Sequence, residues 1–217
     1  MARLGKLPTA SARLAAAGTV SGIALSAAEH HQGDALTAPG TEPITYTELG
    51  KAAREIAGGL ADLGIELGDR VAILAGTRPE WTLADMGALC AGATVVPIYQ
   101  TNSPEECQYI LDHASVRAVI CEDAGQVAKV EQARDHCPSL EHVIVIDGPV
   151  AGTVSLAELR ERGAATGEQV AAERLAQVGT GRRCHDRLHL GDDGTAQGLC
   201  RHPLQPAGDG RDVRPRT

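Results

Sequence analysis

Positive charge is scarce in this sequence. Its 217 residues include 20 lysines and arginines against 28 aspartates and glutamates, which gives a formal net charge of −8. A nucleic-acid-binding protein needs a basic stripe that neutralises phosphates, and residues 1–178 contain none. We therefore predict that nucleic acid is not a partner.

Paired cysteine motifs and long apolar runs are also missing. The six cysteines form no Cys-x-x-Cys pair, and the first four fall on or near apolar faces of predicted elements. This pattern favours a reduced, cytoplasmic chain. Outside the N-terminus, no segment approaches the roughly eighteen apolar residues that a transmembrane helix requires.

Residues 1–30 form a weakly specified N-terminal arm. Arg3, Lys6 and Arg13 precede the small-residue apolar run Leu14–Ala28, an order that is also typical of a secretory signal. Glycine, serine and threonine interrupt this run, and it has few long aliphatic side chains. We therefore favour a leader followed by a short helix.

Between Arg70 and Asp147, short apolar runs alternate with amphipathic segments. This alternation predicts an α/β fold, a partial doubly wound and mainly parallel sheet with flanking helices. Pro97 lies in one predicted strand and requires an edge or end position, since proline cannot donate a ladder hydrogen bond. The predicted strands are Val71–Leu74, Thr94–Tyr99, Val116–Cys121 and His142–Ile146, after a hairpin at residues 35–46.

Helix boundaries are marked by capping residues. Thr45-x-x-Glu48 and Ser103-x-x-Glu106 are capping boxes, and Asp123 and Ser155 are further candidate N-caps. Gly64 and Gly163 are candidate helix ends. Trp81 is predicted to anchor the core, with the border of a ligand tunnel as the alternative.

Three polar residues after a predicted parallel strand are the candidate site. Tyr99, Gln100 and Thr101 follow the strand end at which open α/β sheets bind ligands, so we predict that they form the rim of a substrate or nucleotide site. A plain strand-to-helix turn is the alternative. No carboxylates are paired in the sequence for acid–base chemistry, and we predict no catalytic residue and no metal ligand.

The composition changes after residue 178. Residues 179–217 contain four leucines, one valine, no isoleucine and no aromatic residue, against seven arginines. Such a segment cannot bury enough apolar surface to offset its ordering entropy, so a disordered tail is predicted. The chain is thus divided into an arm (1–30), a folded domain (31–178) and a tail (179–217).

Two stretches carry a family resemblance. Thr77-Arg-Pro-Glu-Trp-Thr-Leu-Ala-Asp85 and Pro97-Ile-Tyr-Gln-Thr-Asn-Ser-Pro-Glu-Glu106 resemble the AMP-forming acyl-CoA synthetases of the adenylate-forming superfamily, best in the long-chain fatty acid branch. The resemblance covers residues 35–178, the opening part of that family's N-terminal domain. A fragment of another adenylate-forming enzyme and a small non-catalytic α/β binding module remain alternatives.

The resemblance implies a two-step ligase reaction. ATP with Mg²⁺ would activate a fatty acid as its acyl-adenylate, and coenzyme A would then accept the acyl group. It also implies a cytoplasmic location and leaves peripheral membrane association open. The family's catalytic and metal-binding motifs lie downstream of the matching region, so we predict that this fragment by itself is inactive.

The tail matches the family only when its codons are displaced by one base. In that frame Asp192 and Asp193 permit Thr-Thr, and Gln197 before Gly198 permits only Lys or Arg. Cys184–Cys200 then permits a sequence that contains Thr-Ser-Gly-Thr-Thr-Gly-Pro-Pro-Lys-Gly, the family's phosphate-loop pattern. We therefore predict a frameshift near Val178–Gly181. It also accounts for a zinc-like group that has no common zinc spacing, namely Cys184, His185, His189, Cys200 and His202.

Overall fold

The computed structural model describes residues 19–178 in full, and also the strands at 188–190 and 196–199. Its first half contains α1 (Val20–His30), β1 (Asp34–Leu36), β2 (Ile44–Thr45), α2 (Tyr46–Asp62), β3 (Arg70–Leu74), α3 (Pro79–Cys90) and β4 (Thr94–Ile98). Then follow α4 (Pro104–His113), β5 (Ala118–Cys121), α5 (Ala124–Ala133), a 3-10 turn (Arg134–His136), β6 (His142–Val145), β7 (Val154–Ser155), α6 (Leu156–Gly163) and α7 (Gly167–Gln177).

Five of these strands form one parallel sheet in the order β4-β3-β5-β6-β7. The predicted α/β fold is confirmed, and β1 and β2 form the predicted antiparallel hairpin. β4 lies at the edge, which confirms the position predicted from Pro97, because an edge strand is paired on only one side. The two-residue strand β7 was not predicted, since so short a segment has no periodicity of its own.

Both faces of the sheet are covered by helices. Val71 and Ile73 of β3 pack on the side of α2, α3, α6 and α7, whereas Ala72 and Leu74 pack on the side of α4 and α5. Successive strand residues point to opposite faces, so a strand that is buried on both sides is apolar throughout. This explains why the central strands appear in the sequence as continuous apolar runs.

The helices begin where the capping residues predict. Thr45 and Ser103 form complete capping boxes, and the side chains of Asp123 and Ser155 accept hydrogen bonds from the backbone N–H groups of Gln126 and Glu158. Gly64 follows the C-cap of α2 with a φ of +84°, the left-handed conformation that favours glycine.

Ordered elements at both ends of the described region lie outside the predicted folded domain 31–178, and the division of the chain into arm, domain and tail stays a prediction. Leu25 of α1 joins the core on the α2 side, so the packed unit begins before residue 31. Leu188–Leu190 and Ala196–Leu199 pair as antiparallel strands within the predicted disordered tail, because pairing of two neighbouring segments does not require a large core. The rest of the tail and the leader at 1–18 lie outside the described residues.

No helix within the described residues combines the length and the apolarity that a bilayer crossing needs.

Candidate functional site

The loops that follow β3, β4, β5 and β6 lie together at the carboxyl edge of the sheet, because these strands are parallel. From β3 the chain passes to β4 on one side and then crosses to β5 on the other. The crevice between the loops after β3 and β5 is therefore a topological switch point, the place where open α/β sheets bind ligands.

Arg78 joins three of these loops. Its Nη1 and Nη2 donate to the two carboxylate oxygens of Asp147, after β6, at 2.6 and 3.0 Å. Nη1 also lies 3.4 Å from Oε1 of Glu122, after β5, and Nε donates to Glu80 at 2.7 Å. We call Arg78, Glu80, Glu122 and Asp147 the arginine cluster. It connects segments that are 44 and 69 residues apart in sequence.

The cluster also holds the loop after β3. The second carboxylate oxygen of Glu122 accepts the backbone N–H of Gly76 at 2.8 Å. The Gln100 side chain also lies against Gly76, and a Cβ on Gly76 would be 2.7 Å from Oε1 of Gln100. A larger residue at this position would therefore have to displace the end of the Gln100 side chain.

The charges of the arginine cluster indicate a structural role. Its hydrogen bonds to Asp147 and Glu80 raise the pKa of the Arg78 guanidinium. Partial burial of Glu80 acts to raise its pKa, but the hydrogen bond from Arg78, a backbone hydrogen bond and the charge of Arg78 together outweigh burial, so the pKa of the Glu80 carboxyl lies below its ordinary value. Three carboxylates and one guanidinium carry a formal charge of −2 at neutral pH, which repels a free phosphate. The cluster therefore stabilises the switch point and does not itself attract an anion.

The predicted rim residues lie one strand away, after the edge strand β4. Tyr99 is 73% exposed, and Gln100 and Thr101 are also exposed. Lys129 of α5 donates from Nζ to the carbonyl oxygens of Gln100 and Asn102, at 2.7 and 2.9 Å. Of the three, Gln100 is brought against the switch point through Gly76. Their role as a substrate or nucleotide rim stays a prediction.

Sequence reasoning missed the arginine cluster. Arg78, Glu122 and Asp147 each follow a predicted strand, and this position is the one signal that could have found them. Their pairing depends on the strand order, which puts β5 next to β3 and β6 next to β5. Trp81, predicted as a core anchor, is partly buried against the core on the α2 side.

The four described cysteines are buried and free. Burial raises the pKa of the Cys90 and Cys121 thiols to about 12, and it also raises the pKa of Cys107 and Cys137. These thiols are protonated at neutral pH and are poor nucleophiles. Among residues 19–178, no group of three histidines, cysteines or acids is placed to hold a metal ion, and the zinc-like group of the tail lies outside the described side chains.

Comparison with known proteins gives a consistent result. The family model for AMP-binding enzymes matches residues 23–179. Long-chain-fatty-acid–CoA ligase FadD15 of Mycobacterium bovis is 34% identical over 135 residues, which are 62% of this chain and 22% of FadD15. Long-chain-fatty-acid–CoA ligase ACSBG1 of Bos taurus is 36% identical over 104 residues, 48% of this chain and 14% of that protein. The chain thus spans less than a quarter of either relative.

A solved structure shows the same fold. The crystal structure of the anthranilate CoA ligase AuaEII in complex with anthranoyl-AMP superposes with a TM-score of 0.62 at 22% identity. The match covers 80% of this chain and 33% of AuaEII. The parallel five-stranded sheet and its flanking helices therefore correspond to part of that protein's fold.

Proposed function

The chain belongs to the AMP-binding enzyme family, and from that membership we propose that it is the opening part of a long-chain fatty acid–CoA ligase. The observation that carries the proposal is the match of residues 23–179 to the family model, together with 34% identity to FadD15 over 135 residues. The Arg-Pro-Glu-Trp and Pro-Ile-Tyr-Gln-Thr stretches, which resemble the long-chain branch, support the same substrate class.

The proposed reaction has two steps. The carboxylate of a fatty acid attacks the α-phosphorus of ATP, which gives an acyl-adenylate and releases pyrophosphate. The thiol of coenzyme A then attacks the acyl carbon and displaces AMP. Mg²⁺, when bound, would neutralise charge on the phosphates. Fatty acid, ATP and coenzyme A are thus the proposed small-molecule partners of the intact enzyme.

In this proposal the described region supplies scaffold. The arginine cluster holds the loops at the switch point, and Lys129 holds the loop that carries Tyr99, Gln100 and Thr101. These three residues would border the substrate or nucleotide. We assign no catalytic residue and no metal ligand among residues 19–178.

We further propose that the tail is translated out of frame. The family match ends at residue 179, inside the segment Val178–Gly181 in which the codon argument places the frameshift. A chain that ends its in-frame sequence there would lack the phosphate loop, and the 217 residues alone would not form acyl-CoA.

The first test is to sequence the gene from the codon of Leu175 to several hundred bases beyond the stop codon. We expect one missing or additional base, with the corrected frame open through the phosphate loop. If the frame is confirmed as it stands and the displaced frame soon closes, the frameshift proposal is wrong.

The second test is enzymatic. The 217-residue chain and the frame-corrected product are incubated with ATP, Mg²⁺ and coenzyme A, with either palmitate or benzoate, and AMP release is measured. We expect AMP only from the corrected product with palmitate. Preference for benzoate would instead indicate a different adenylate-forming enzyme, and activity of the 217-residue chain would contradict the proposed inactivity.

A further inference from the structure

The two carboxylate oxygens of Glu122 have separate partners. Oε1 lies 3.4 Å from Nη1 of Arg78, and Oε2 accepts the backbone N–H of Gly76 at 2.8 Å. The Glu122 side chain is 22% exposed, so most of it is sheltered from water. One oxygen therefore belongs to the arginine cluster, and the other fixes the backbone of the loop after β3.

The carboxamide of Gln100 packs on the residue that Glu122 fixes. A Cβ built on Gly76 would be 2.7 Å from Oε1, 3.1 Å from Cδ and 3.2 Å from Nε2 of Gln100, so the whole carboxamide lies against Gly76. Because Gly76 has no side chain, the position of its backbone sets how closely the carboxamide can approach. Glu122 thus acts on the Gln100 side chain through Gly76.

The backbone of Gln100 is held separately by α5. Nε2 of Gln126 and Nζ of Lys129 both donate to the Gln100 carbonyl oxygen, at 3.3 and 2.7 Å. These hydrogen bonds leave the carboxamide available, and a carboxamide can both donate and accept hydrogen bonds. Gln100 therefore presents this group in a defined position, which lowers the entropy cost of binding a ligand.

The surroundings of the Gln100 carboxamide limit what it can bind. The neighbouring arginine cluster carries a formal charge of −2, which disfavours a phosphate group. An alkyl chain would bury the carboxamide without a hydrogen-bond partner, which costs free energy. An uncharged hydrogen-bonding group meets both conditions. In the proposed reaction, ATP and coenzyme A carry such groups, in the adenine base and in the amides of coenzyme A.

We propose that Glu122 is a positioning residue for substrate binding. Through the Gly76 backbone it places the Gln100 carboxamide, which hydrogen-bonds an uncharged group of a nucleotide substrate. This inference rests on the proposed ligase function. It goes beyond the scaffold role of the arginine cluster, because one oxygen of Glu122 then acts on a contact with a ligand.

The first measurement is hydrogen exchange of the Gly76 amide in the 217-residue chain, followed by NMR after selective labelling with 15N-glycine. Glu122→Met removes the acceptor, and we expect the Gly76 amide to exchange about tenfold faster, since hydrogen bonds to charged acceptors are strong. Glu122→Gln keeps an oxygen that can accept the same N–H, so it should restore most of the protection. Glu80→Met is the matched control for exchange, because Glu80 contacts Arg78 and should leave the Gly76 amide unchanged.

The second measurement is steady-state AMP release by the frame-corrected enzyme with palmitate, ATP and coenzyme A. Glu122→Met and Gln100→Ala should each raise the KM for one nucleotide about two- to tenfold, as expected for the loss of one hydrogen bond. The kcat and the KM for palmitate should not change, because the contact is made equally before and during the reaction. The nucleotide whose KM rises identifies the source of the hydrogen-bonding group.

Two further variants separate positioning from a general loss of stability. Glu122→Gln should return the KM towards the wild-type value. Glu141→Met removes an ion pair before β6, at the opposite edge of the sheet, and should leave every KM unchanged. Circular dichroism of each variant shows whether the fold is retained.

Three outcomes would overturn the proposal. These are equal exchange of the Gly76 amide in wild type and Glu122→Met, an equal increase in Glu80→Met, and a Gln100→Ala enzyme in which the KM for both nucleotides is unchanged or only that for palmitate rises. If the frame-corrected enzyme releases no AMP with palmitate or benzoate, the proposed function is wrong and the ligand contact fails with it. The exchange measurements then still decide whether Glu122 positions Gly76.

Discussion

Replacement of Gly59 by alanine should destabilise the protein, although alanine is the better helix former. Gly59 lies inside α2, where it faces α6. A Cβ at this position would clash with the carbonyl oxygen of Leu159 and would lie 2.9 Å from the Leu159 side chain, where ordinary contacts are 3.4–4 Å. Gly163 of α6 and Gly167 of α7 approach the α2 backbone equally closely, so a small shift cannot relieve the clash.

Two opposing effects set the magnitude of the change in the free energy of unfolding that Gly59→Ala causes. Glycine to alanine inside a helix contributes about 1 kcal/mol of stability through intrinsic propensity. Overpacking of a close contact costs about 1–3 kcal/mol, and the upper end applies here because a backbone carbonyl cannot rotate away. The net loss in the free energy of unfolding is about 2 kcal/mol. For a folded unit of this size it corresponds to a decrease in Tm of about 4–8 °C.

Urea unfolding followed by circular dichroism measures this loss. Gly125→Ala is the matched control, because Gly125 also lies in a helix and its Cβ would meet only the Asp123 side chain, at 3.2 Å. We expect the control to be neutral or slightly stabilising. If Gly59→Ala is as stable as Gly125→Ala, the close packing of α2 against α6 is refuted.

Three further predictions follow from particular residues. Ser115→Gly should raise the free energy of unfolding by about 1 kcal/mol, because Ser115 has a φ of +48°; a lower urea midpoint would contradict this. Arg117 donates to Glu141 at 2.7 Å and thereby lowers the pKa of the Glu141 carboxyl. The contribution of this ion pair to the free energy of unfolding is therefore fully present above about pH 4.3, the ordinary pKa of an unfolded glutamate, and it is lost as pH falls through the lowered pKa of the folded state. The difference in urea midpoint between wild type and Arg117→Met should therefore shrink below about pH 4, and a difference that is constant with pH would refute the ion pair. A thiol reagent such as DTNB should detect four more thiols after unfolding in guanidinium than before, and fast reaction of all thiols in the native chain would show that the described cysteines are not buried.

The candidate site was predictable only in outline. Tyr99, Gln100 and Thr101 were predicted as rim residues from their position after a strand, because the end of a parallel strand appears in the sequence as the end of an apolar run, and this role stays a prediction. The arginine cluster was not found, because residues 44 and 69 positions apart meet only after the strands are ordered. Their position after a predicted strand is the one local signal that Glu122 and Asp147 carry, and it does not show that they pair with Arg78.

Interactions between residues that are close in sequence account for the secondary structure, so the sequence alone predicts it. The capping boxes at Thr45 and Ser103 satisfy backbone groups within three residues, and continuous apolar runs reveal strands that are covered on both faces. Pro97 indicated an edge or end position because its missing N–H is a property of the residue itself. These features depend on neighbours along the chain, so the chain alone suffices to predict them.

Contacts between distant segments depended on the tertiary structure. Gly58 and Gly59 are ordinary helix-weakening residues in the sequence and Gly163 is a candidate helix end, and only the packing of α2 against α6 and α7 shows that no larger side chain fits. The contact of Gly76 with the Gln100 side chain, which comes from the loop after the neighbouring strand β4, is likewise visible only in the tertiary structure. The physical reason is that steric exclusion and ion pairing act through space, and the sequence does not specify which segments become neighbours until the sheet is assembled.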